Sequence, residues 1–130
     1  MPGPLLDSST VIALLDSDHP QHADVVHWKV RHPVASVCPI GEGAFVRHLL
    51  RAGWPGDEIA ALLRVAYATG GVAFVADDLS YAELDAARLR KRAEATDAYL
   101  VGLAAHHGTH LVTLDRALAA AYPERTELIA

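Results

Sequence analysis

Short apolar runs recur along the chain, and polar turn signals separate each from a longer amphipathic segment. Runs of this length are typical of buried strands rather than of helices. The first run, Leu5–Leu6, ends at an aspartate, and the fourth ends in the same way. The pattern predicts strands at residues 5–6, 33–37, 72–75 and 111–114, with a candidate fifth strand at 127–129.

Between these runs, apolar residues recur at helical spacing. We expect Val25, Val26 and Val30 to form the buried face of one helix, and Thr96 to cap a later one. The pair Gly70–Gly71 is predicted to end the helix before the third strand. The predicted helices cover residues 8–15, 20–31, 41–50, 55–69, 80–89 and 96–107, and a short one follows the fourth strand.

Strands that alternate with helices indicate βαβ units, and therefore an α/β fold with a mainly parallel sheet. In such sheets, ligands bind outside the carboxyl ends of the strands. Residues that directly follow the predicted strands are therefore the first candidates for chemistry.

Four acids occupy positions that this architecture brings to one edge. Asp7 and Asp115 each end an apolar run, whereas Glu42 and Asp97 lie at predicted helix starts. In a parallel sheet, strand ends and the following helix N-termini share an edge, so we predict that the four carboxylates converge. Taken singly, each acid is also explained by helix capping or by the helix dipole. Only their joint placement at one edge of the sheet indicates that the four acids form a common site.

Four converging carboxylates need a counter-charge to remain ionised together. A hard divalent cation such as Mg²⁺ supplies it, because it prefers oxygen ligands and is often held by carboxylates together with substrate phosphate. Such a site can activate a water molecule and stabilise the leaving oxygen in phosphodiester cleavage. The acids therefore point to metal-assisted hydrolysis.

Composition limits the number of domains and the classes of function that the chain can have. The 130 residues suffice for one domain, and 16 acidic against 11 basic residues give a net charge of −5. This balance argues against binding nucleic acid through bulk positive charge, but not against a nuclease whose acids surround metal ions. A single cysteine, Cys38, excludes an intrachain disulfide, and neither a signal peptide nor a membrane-spanning run is visible. We expect one cytoplasmic domain, residues 1–130, with no membrane partner.

Segments at three places resemble the motifs of PIN-domain nucleases. Residues 5–15 (LLDSSTVIALL) resemble the opening motif, residues 39–47 (PIGEGAFVR) the middle motif, and residues 95–104 with 111–115 the second half. The most similar subgroup is the VapC toxins of bacterial VapBC toxin–antitoxin pairs. The resemblance implies a PIN-like three-layer α/β/α sandwich with a mainly parallel central sheet of four to five strands.

The resemblance also implies an activity, that of a Mg²⁺- or Mn²⁺-dependent endoribonuclease toxin of a type II toxin–antitoxin system. Its RNA would be a structured tRNA, rRNA or mRNA. Ser9 and Thr113 match hydroxyls that support the metal site, while Arg116 stands where many relatives carry a further acid or amide. The family's metal-binding and catalytic quartet maps onto Asp7, Glu42, Asp97 and Asp115.

Partners follow from the same resemblance. It implies a homodimer, an RNA substrate and a cognate VapB-like antitoxin that lies in an apolar groove near the acids. The amphipathic helices between about residues 41 and 69 are where we expect the dimer or antitoxin surface.

The basic residues are few but grouped. One group immediately precedes the helix of Asp97, and a pair one turn apart lies on the helix of Glu42. We predict contacts with RNA phosphates, and the alternative is an ordinary solvated helix surface. The candidate RNA-binding residues are Arg88, Arg90, Lys91, Arg92, Arg47 and Arg51.

Histidines raise the question of a different metal site. His106, His107 and His110 cluster in the sequence, but no HExxH motif or Cys/His zinc spacing occurs. The sequence therefore favours no histidine metal site.

Two other classes compete with the nuclease reading. A non-catalytic PIN module would bind RNA or a protein partner without cleaving, and the intact quartet argues against it. A receiver-like signalling domain has similar length and an acidic pocket, but it would need a lysine after a late strand. The chain's two lysines, Lys29 and Lys91, do not stand in that position.

Overall fold

All five predicted strands are present and pair in parallel in the computed structural model, which describes residues 2–69 and 71–130. Their spatial order is β3-β2-β1-β4-β5, so the first strand lies at the centre of the sheet. The predicted mainly parallel sheet is confirmed. The strands are β1 (Leu5–Leu6), β2 (Ala35–Val37), β3 (Val72–Phe74), β4 (Leu111–Thr113) and β5 (Thr126–Leu128).

Helices occupy every connection between successive strands. Two helices lie between β1 and β2, two between β2 and β3, and one in each of the last two connections. A parallel sheet requires such crossovers, because neighbouring strands run in the same direction. The helices are α1 (Ser8–Leu15), α2 (His22–Val30), α3 (Pro39–Arg51), α4 (Gly56–Ala68), α5 (Ala93–His106) and α6 (Arg116–Ala121).

The sheet separates two hydrophobic clusters. Leu6 packs in the cluster formed with α1 to α4, whereas its neighbour Leu5 packs in the cluster formed with α5 and α6. Val112 and Leu111 on β4 divide between the two clusters in the same way. Successive side chains of a strand point to opposite faces, so a continuous apolar run is what a sheet covered on both sides requires. The predicted three-layer α/β/α arrangement is confirmed.

Close packing of α3 against α1 depends on Gly41. A Cβ atom added at this position would lie 3.1 Å from Cγ2 of Val11 and 3.9 Å from the carbonyl oxygen of Leu6. The absence of a side chain thus lets the first turn of α3 approach the end of β1. This approach places Glu42, the next residue, beside the carboxyl edge of the sheet.

Phe45 on α3 anchors the larger cluster. We expect Phe45→Ala to lower the free energy of unfolding by about 3–5 kcal/mol, because its side chain is fully buried and leaves a cavity. Val30→Ala on α2 is the control, because Val30 is 76% exposed and should change stability by under about 0.5 kcal/mol. Urea unfolding measures both variants. Equal losses would contradict this placement of the core.

The prediction of a helix at residues 80–89 is wrong. Only a single 3₁₀ turn, Tyr81–Glu83, forms there, capped by the Ser80 hydroxyl, which accepts a hydrogen bond from the Ala82 amide at 3.0 Å. Leu79 and Leu84 instead pack against Gly102 of α5. These two anchors hold the segment along α5, and tertiary packing overrides its helical pattern.

The buried face predicted for α2 is confirmed for Val25 and wrong for Val26 and Val30. Val25 and Trp28 are buried, whereas Val26 and Val30 are exposed. The Trp28 indole donates a hydrogen bond to Oε2 of Glu127 on β5 at 2.6 Å. Burying this large ring, one turn from Val25, turns the other two valines outwards.

Element boundaries differ slightly from the predictions. The fourth helix ends at Ala68, and Gly70, predicted to help end it, lies outside the described residues. In residues 2–69 and 71–130, none of the helices has the length and hydrophobicity needed to cross a bilayer.

Candidate active site

Asp7 is the most constrained of the predicted acids. It caps α1, is only 5% exposed, and its Oδ1 accepts hydrogen bonds from the Thr10 amide at 3.0 Å and the Thr10 hydroxyl at 2.6 Å. The Ser9 hydroxyl lies 3.3 Å from the same oxygen. On the other side, the Thr113 hydroxyl donates to Oδ2. The carboxylate is therefore held in one orientation, with donors on both oxygens.

Thr113 connects Asp7 to Asp115. Its hydroxyl oxygen, at the end of β4, donates to Asp7 and accepts a hydrogen bond from the Asp115 amide at 2.9 Å. Asp115 caps α6, accepting from the amides of Ala117 and Leu118 at 2.9 and 3.2 Å. Both of these bonds use Oδ1 of an exposed side chain, so capping and a role for Oδ2 are compatible.

Asp97 completes a group of three acids. Burial, followed by the charges of Asp7 and Asp115, raises the pKa of its carboxyl group above the usual value. The helix that carries it begins at Ala93, so Asp97 lies in the second turn and Thr96 is not its cap as predicted. The pairing of β1 with β4, two strands that are far apart in sequence, brings Asp7 and Asp115 to one edge of the sheet, and α5 adds Asp97 to their electrostatic environment.

Glu42 has a different partner. Its Oε2 accepts a hydrogen bond from the Tyr67 hydroxyl of α4 at 2.8 Å. Burial and this carboxylate raise the pKa of the Tyr67 phenol well above its usual value, so the phenol remains a donor. In the described part of the chain, no three quartet residues place a carboxylate oxygen within 4.8 Å of one another. Asp7, Asp97 and Asp115 thus share an electrostatic environment without close contact of all three carboxylates, whereas Glu42 is held by Tyr67.

A groove of about 270 Å³ opens beside the acids and is lined by Asp97, Asp115, Glu94, Arg88 and Tyr122, among others. The Arg88 guanidinium stacks 4.5 Å from the centre of the Tyr122 ring and donates to the Ala121 carbonyl. Of the six candidate RNA-binding residues, this groove includes only Arg88.

The other candidate bases lie elsewhere on the surface. Arg90 donates hydrogen bonds to the nearby carbonyls of Ala87 and Leu89. All five remaining residues are exposed, a position that suits both a contact with RNA phosphates and an ordinary solvated surface. They are Arg90, Lys91, Arg92, Arg47 and Arg51.

The comparison with known families decides the identity of the fold. The family model described as "PIN domain" matches residues 5–122, a segment that contains all four acids. This chain belongs to the PIN-domain family. The receiver-like alternative is therefore set aside.

Curated relatives of this PIN domain come from Mycobacterium tuberculosis. Ribonuclease VapC29 is 33% identical over 116 residues, covering 88% of this chain and 87% of the relative. Ribonuclease VapC38 is 31% identical over 118 residues, covering 85% and 84%. Ribonuclease VapC44 is 33% identical over 125 residues, covering 88% and 87%. The resemblance to PIN domains of the VapC type is confirmed.

The donor set of this PIN domain fits a hard divalent cation. The side chains that gather at the edge of β1 and β4 offer carboxylate oxygens, with no nitrogen or sulfur atom among the grouped acids Asp7, Asp97 and Asp115. Their charges disfavour one another, as the raised pKa of Asp97 indicates. A cation that prefers oxygen ligands would relieve this repulsion.

Two supporting residues were missed in the sequence. Thr10 was assigned only to the helix start, yet its hydroxyl is fully buried against Asp7. Tyr67 lies within the helix predicted at residues 55–69, and its hydroxyl donates to Glu42, 25 residues earlier in the chain. The sequence offered one indication, because a tyrosine among apolar residues carries a hydroxyl that needs a hydrogen-bond partner. Only the packing of α3 against α4 shows that this partner is Glu42.

Proposed function

We propose that this PIN domain is an endoribonuclease that depends on Mg²⁺ or Mn²⁺ and acts as the toxin of a type II toxin–antitoxin pair. The grouping of Asp7, Asp97 and Asp115 at the carboxyl edge of the sheet carries the proposal. The similarity to proteins named ribonucleases VapC29, VapC38 and VapC44 supports RNA as the substrate. The 130 residues are proposed to act as a single domain.

In this proposal, the quartet Asp7, Glu42, Asp97 and Asp115 holds the metal. When bound, the cation supplies an activated water and charge stabilisation for phosphodiester hydrolysis. Asp7 orients the site, because hydroxyls and an amide fix both of its oxygens. Ser9 and Thr113 act through Asp7 as positioning residues, and Thr113 also sets the backbone of Asp115.

Arg88 is the proposed RNA contact with the strongest support, because it lines the groove that contains Asp97 and Asp115. A guanidinium there offers donors for a phosphate beside the acids. The remaining candidates would extend the path of the RNA over the surface: Arg90, Lys91, Arg92, Arg47 and Arg51.

The partners are part of the same proposal. A VapB-like antitoxin and a second copy in a homodimer would cover apolar surface of this protein, which is proposed to work in the cytoplasm. Leu50, Trp54 and Val65 are 50%, 42% and 57% exposed, and all three lie in the region of α3 and α4 predicted to be an interface. Exposed large apolar side chains of this kind support a covered surface.

The test is RNA cleavage by the purified full chain with Mg²⁺ or Mn²⁺, followed by mapping of the new RNA ends. The expected result is cleavage at defined positions in tRNA, rRNA or mRNA. RNA binding without cleavage under both metals would instead favour the non-catalytic PIN module. Absence of both binding and cleavage would overturn the proposal of an RNA substrate.

Tyr67 provides a separate test of Glu42. We expect Tyr67→Phe to raise the Mg²⁺ concentration needed for half-maximal cleavage about tenfold, because Glu42 loses the donor that orients it. Tyr81→Phe is the matched control, since Tyr81 is 51% exposed and stacks on Tyr99, away from Glu42. A purely structural role for Tyr67 would lower the melting temperature but leave the metal midpoint unchanged.

A further inference from the structure

His106, His107 and Asp78 meet at the end of α5 away from the acids. Nε2 of His107 lies 2.8 Å, and Nε2 of His106 3.5 Å, from the same carboxylate oxygen of Asp78. All three ligand atoms lie within 4.8 Å of one another, and within residues 2–69 and 71–130 this is the one group of three His, Cys, Asp or Glu residues that meets this distance.

The backbone brings the two neighbouring histidines together. Consecutive residues within a helix point about 100° apart, because a turn takes 3.6 residues. His106 is the last residue of α5, and His107 is the cap, with φ −89° and ψ 7°, outside the regular helix. The change in backbone direction lets both rings face Asp78, and the rings meet edge to face with centroids 5.2 Å apart.

The donor set differs from that of the acidic site. Two imidazole nitrogens and one carboxylate oxygen suit borderline transition metals such as Zn²⁺, whereas Mg²⁺ prefers oxygen ligands alone. Tetrahedral Zn²⁺ with bonds of about 2.0–2.2 Å places its ligand atoms about 3.3–3.6 Å apart. The His106–Asp78 separation of 3.5 Å already matches this spacing, and the His107–Asp78 separation would lengthen slightly.

The surroundings favour a cation and leave room for it. The site lies at the C-terminus of α5, where the helix dipole is negative. The carbonyl oxygen of Ala76 lies 3.3 Å from Nε2 of His107 and adds a further dipole. The Asp78 side chain is 52% exposed and the His106 side chain 42%, so water molecules can fill the remaining coordination positions.

We propose that His106, His107 and Asp78 form a binding site for a borderline transition-metal dication of the Zn²⁺ class, separate from the acidic site. His106 lies nine positions after Asp97 on α5, about 14 Å along the helix axis. A bound ion would tie the segment after β3 to the end of α5. Residues 75–80, which carry Asp78, form neither helix nor strand, so an ion would add a cross-link where regular structure is lacking.

Zn²⁺ binding to the full chain, produced without a histidine tag, tests the proposal. A chromophoric chelator measures affinity by competition, with excess Mg²⁺ present to occupy the acidic oxygens. The expected result is one Zn²⁺ per chain, with affinity lowered at least about tenfold by His107→Ala or Asp78→Asn. His27→Ala is the matched control, because His27 is an exposed histidine on α2, and it should bind as the unchanged protein does.

Two outcomes would overturn the site. Unchanged Zn²⁺ affinity in His107→Ala is one, and loss of binding in Asp97→Asn but not in His107→Ala is the other, since it would place the ion among the acids. Thermal unfolding provides a second measurement: Zn²⁺ should raise the melting temperature of the unchanged protein but not that of His107→Ala. If His107→Ala does not fold, His106→Ala replaces it, with the same expected loss.

Discussion

Asp97→Asn is expected to abolish RNA cleavage while leaving the protein at least as stable as before. Loss of one carboxylate from the proposed metal site should raise the barrier by about 4 kcal/mol, roughly a thousandfold in rate. The stability should move in the opposite direction, because burial and the neighbouring Asp7 and Asp115 raise the pKa of Asp97 and make its ionised form unfavourable. Single-turnover cleavage and urea unfolding without divalent cations measure the two effects.

The matched control for this substitution is Glu94→Gln. Glu94 lies on the same helix and lines the same groove, and its Oε1 accepts a hydrogen bond from the Lys91 amide that glutamine can still accept. Cleavage by this variant should remain within a few-fold of the unchanged protein. If both variants were equally inactive, the charge of the groove rather than the position of Asp97 would govern the reaction. Asp7→Asn is a less clean test, because its amide nitrogen would face the donors that surround Asp7.

Removing divalent cations is expected to reduce RNA cleavage to the background rate, and added Mg²⁺ or Mn²⁺ should restore it. The reason is electrostatic: an RNA phosphate that approaches the edge of β1 and β4 meets the carboxylates of Asp7, Asp97 and Asp115 together. The chain as a whole carries a net charge of −5, which offers no compensating attraction. Cleavage assays after chelation, and again after return to excess metal, measure the effect.

His107→Ala is the control for chelation. A chelator removes ions from both proposed metal sites, but this variant lacks the histidine site and keeps the acidic one. It should cleave RNA with the same metal dependence as the unchanged protein. Full activity in excess chelator would contradict the proposed mechanism, and loss of cleavage in His107→Ala would contradict the independence of the two sites.

The sequence predicted the strands and the acids at their ends because both follow from local pattern. Asp7 and Asp115 directly follow apolar runs, and they cap α1 and α6 in the structure. The same carboxylates cap helices and belong to the acidic group, so the capping and metal-site interpretations of these two acids were compatible. Asp97 lies one turn into α5 because the helix begins at Ala93. The sequence did not predict this start, because its pattern favours Thr96 as the cap.

The histidines show where sequence proximity misleads. His110 lies close to His106 and His107 in the chain, yet it pairs with Glu127 of β5 at 3.0 Å. Asp78, which lies 28 and 29 residues before the two other histidines, takes its place in the cluster. No spacing rule links these residues, because the segment that carries Asp78 is positioned by Leu79 and Leu84 packing on Gly102.

The sequence by itself determined the parallel α/β architecture and its strand-terminal acids, because hydrophobic period and strand-end position are local properties of the chain. The family was indicated separately, by the resemblance of the motifs at residues 5–15, 39–47, 95–104 and 111–115 to those of PIN domains. Tertiary structure alone decided which side chains meet. It paired Glu42 with Tyr67, linked Asp7 to Asp115 through Thr113, and joined Asp78 to the end of α5. These contacts depend on how the helices cross the sheet, which is fixed by the summed packing of many distant residues and is not encoded in any single motif.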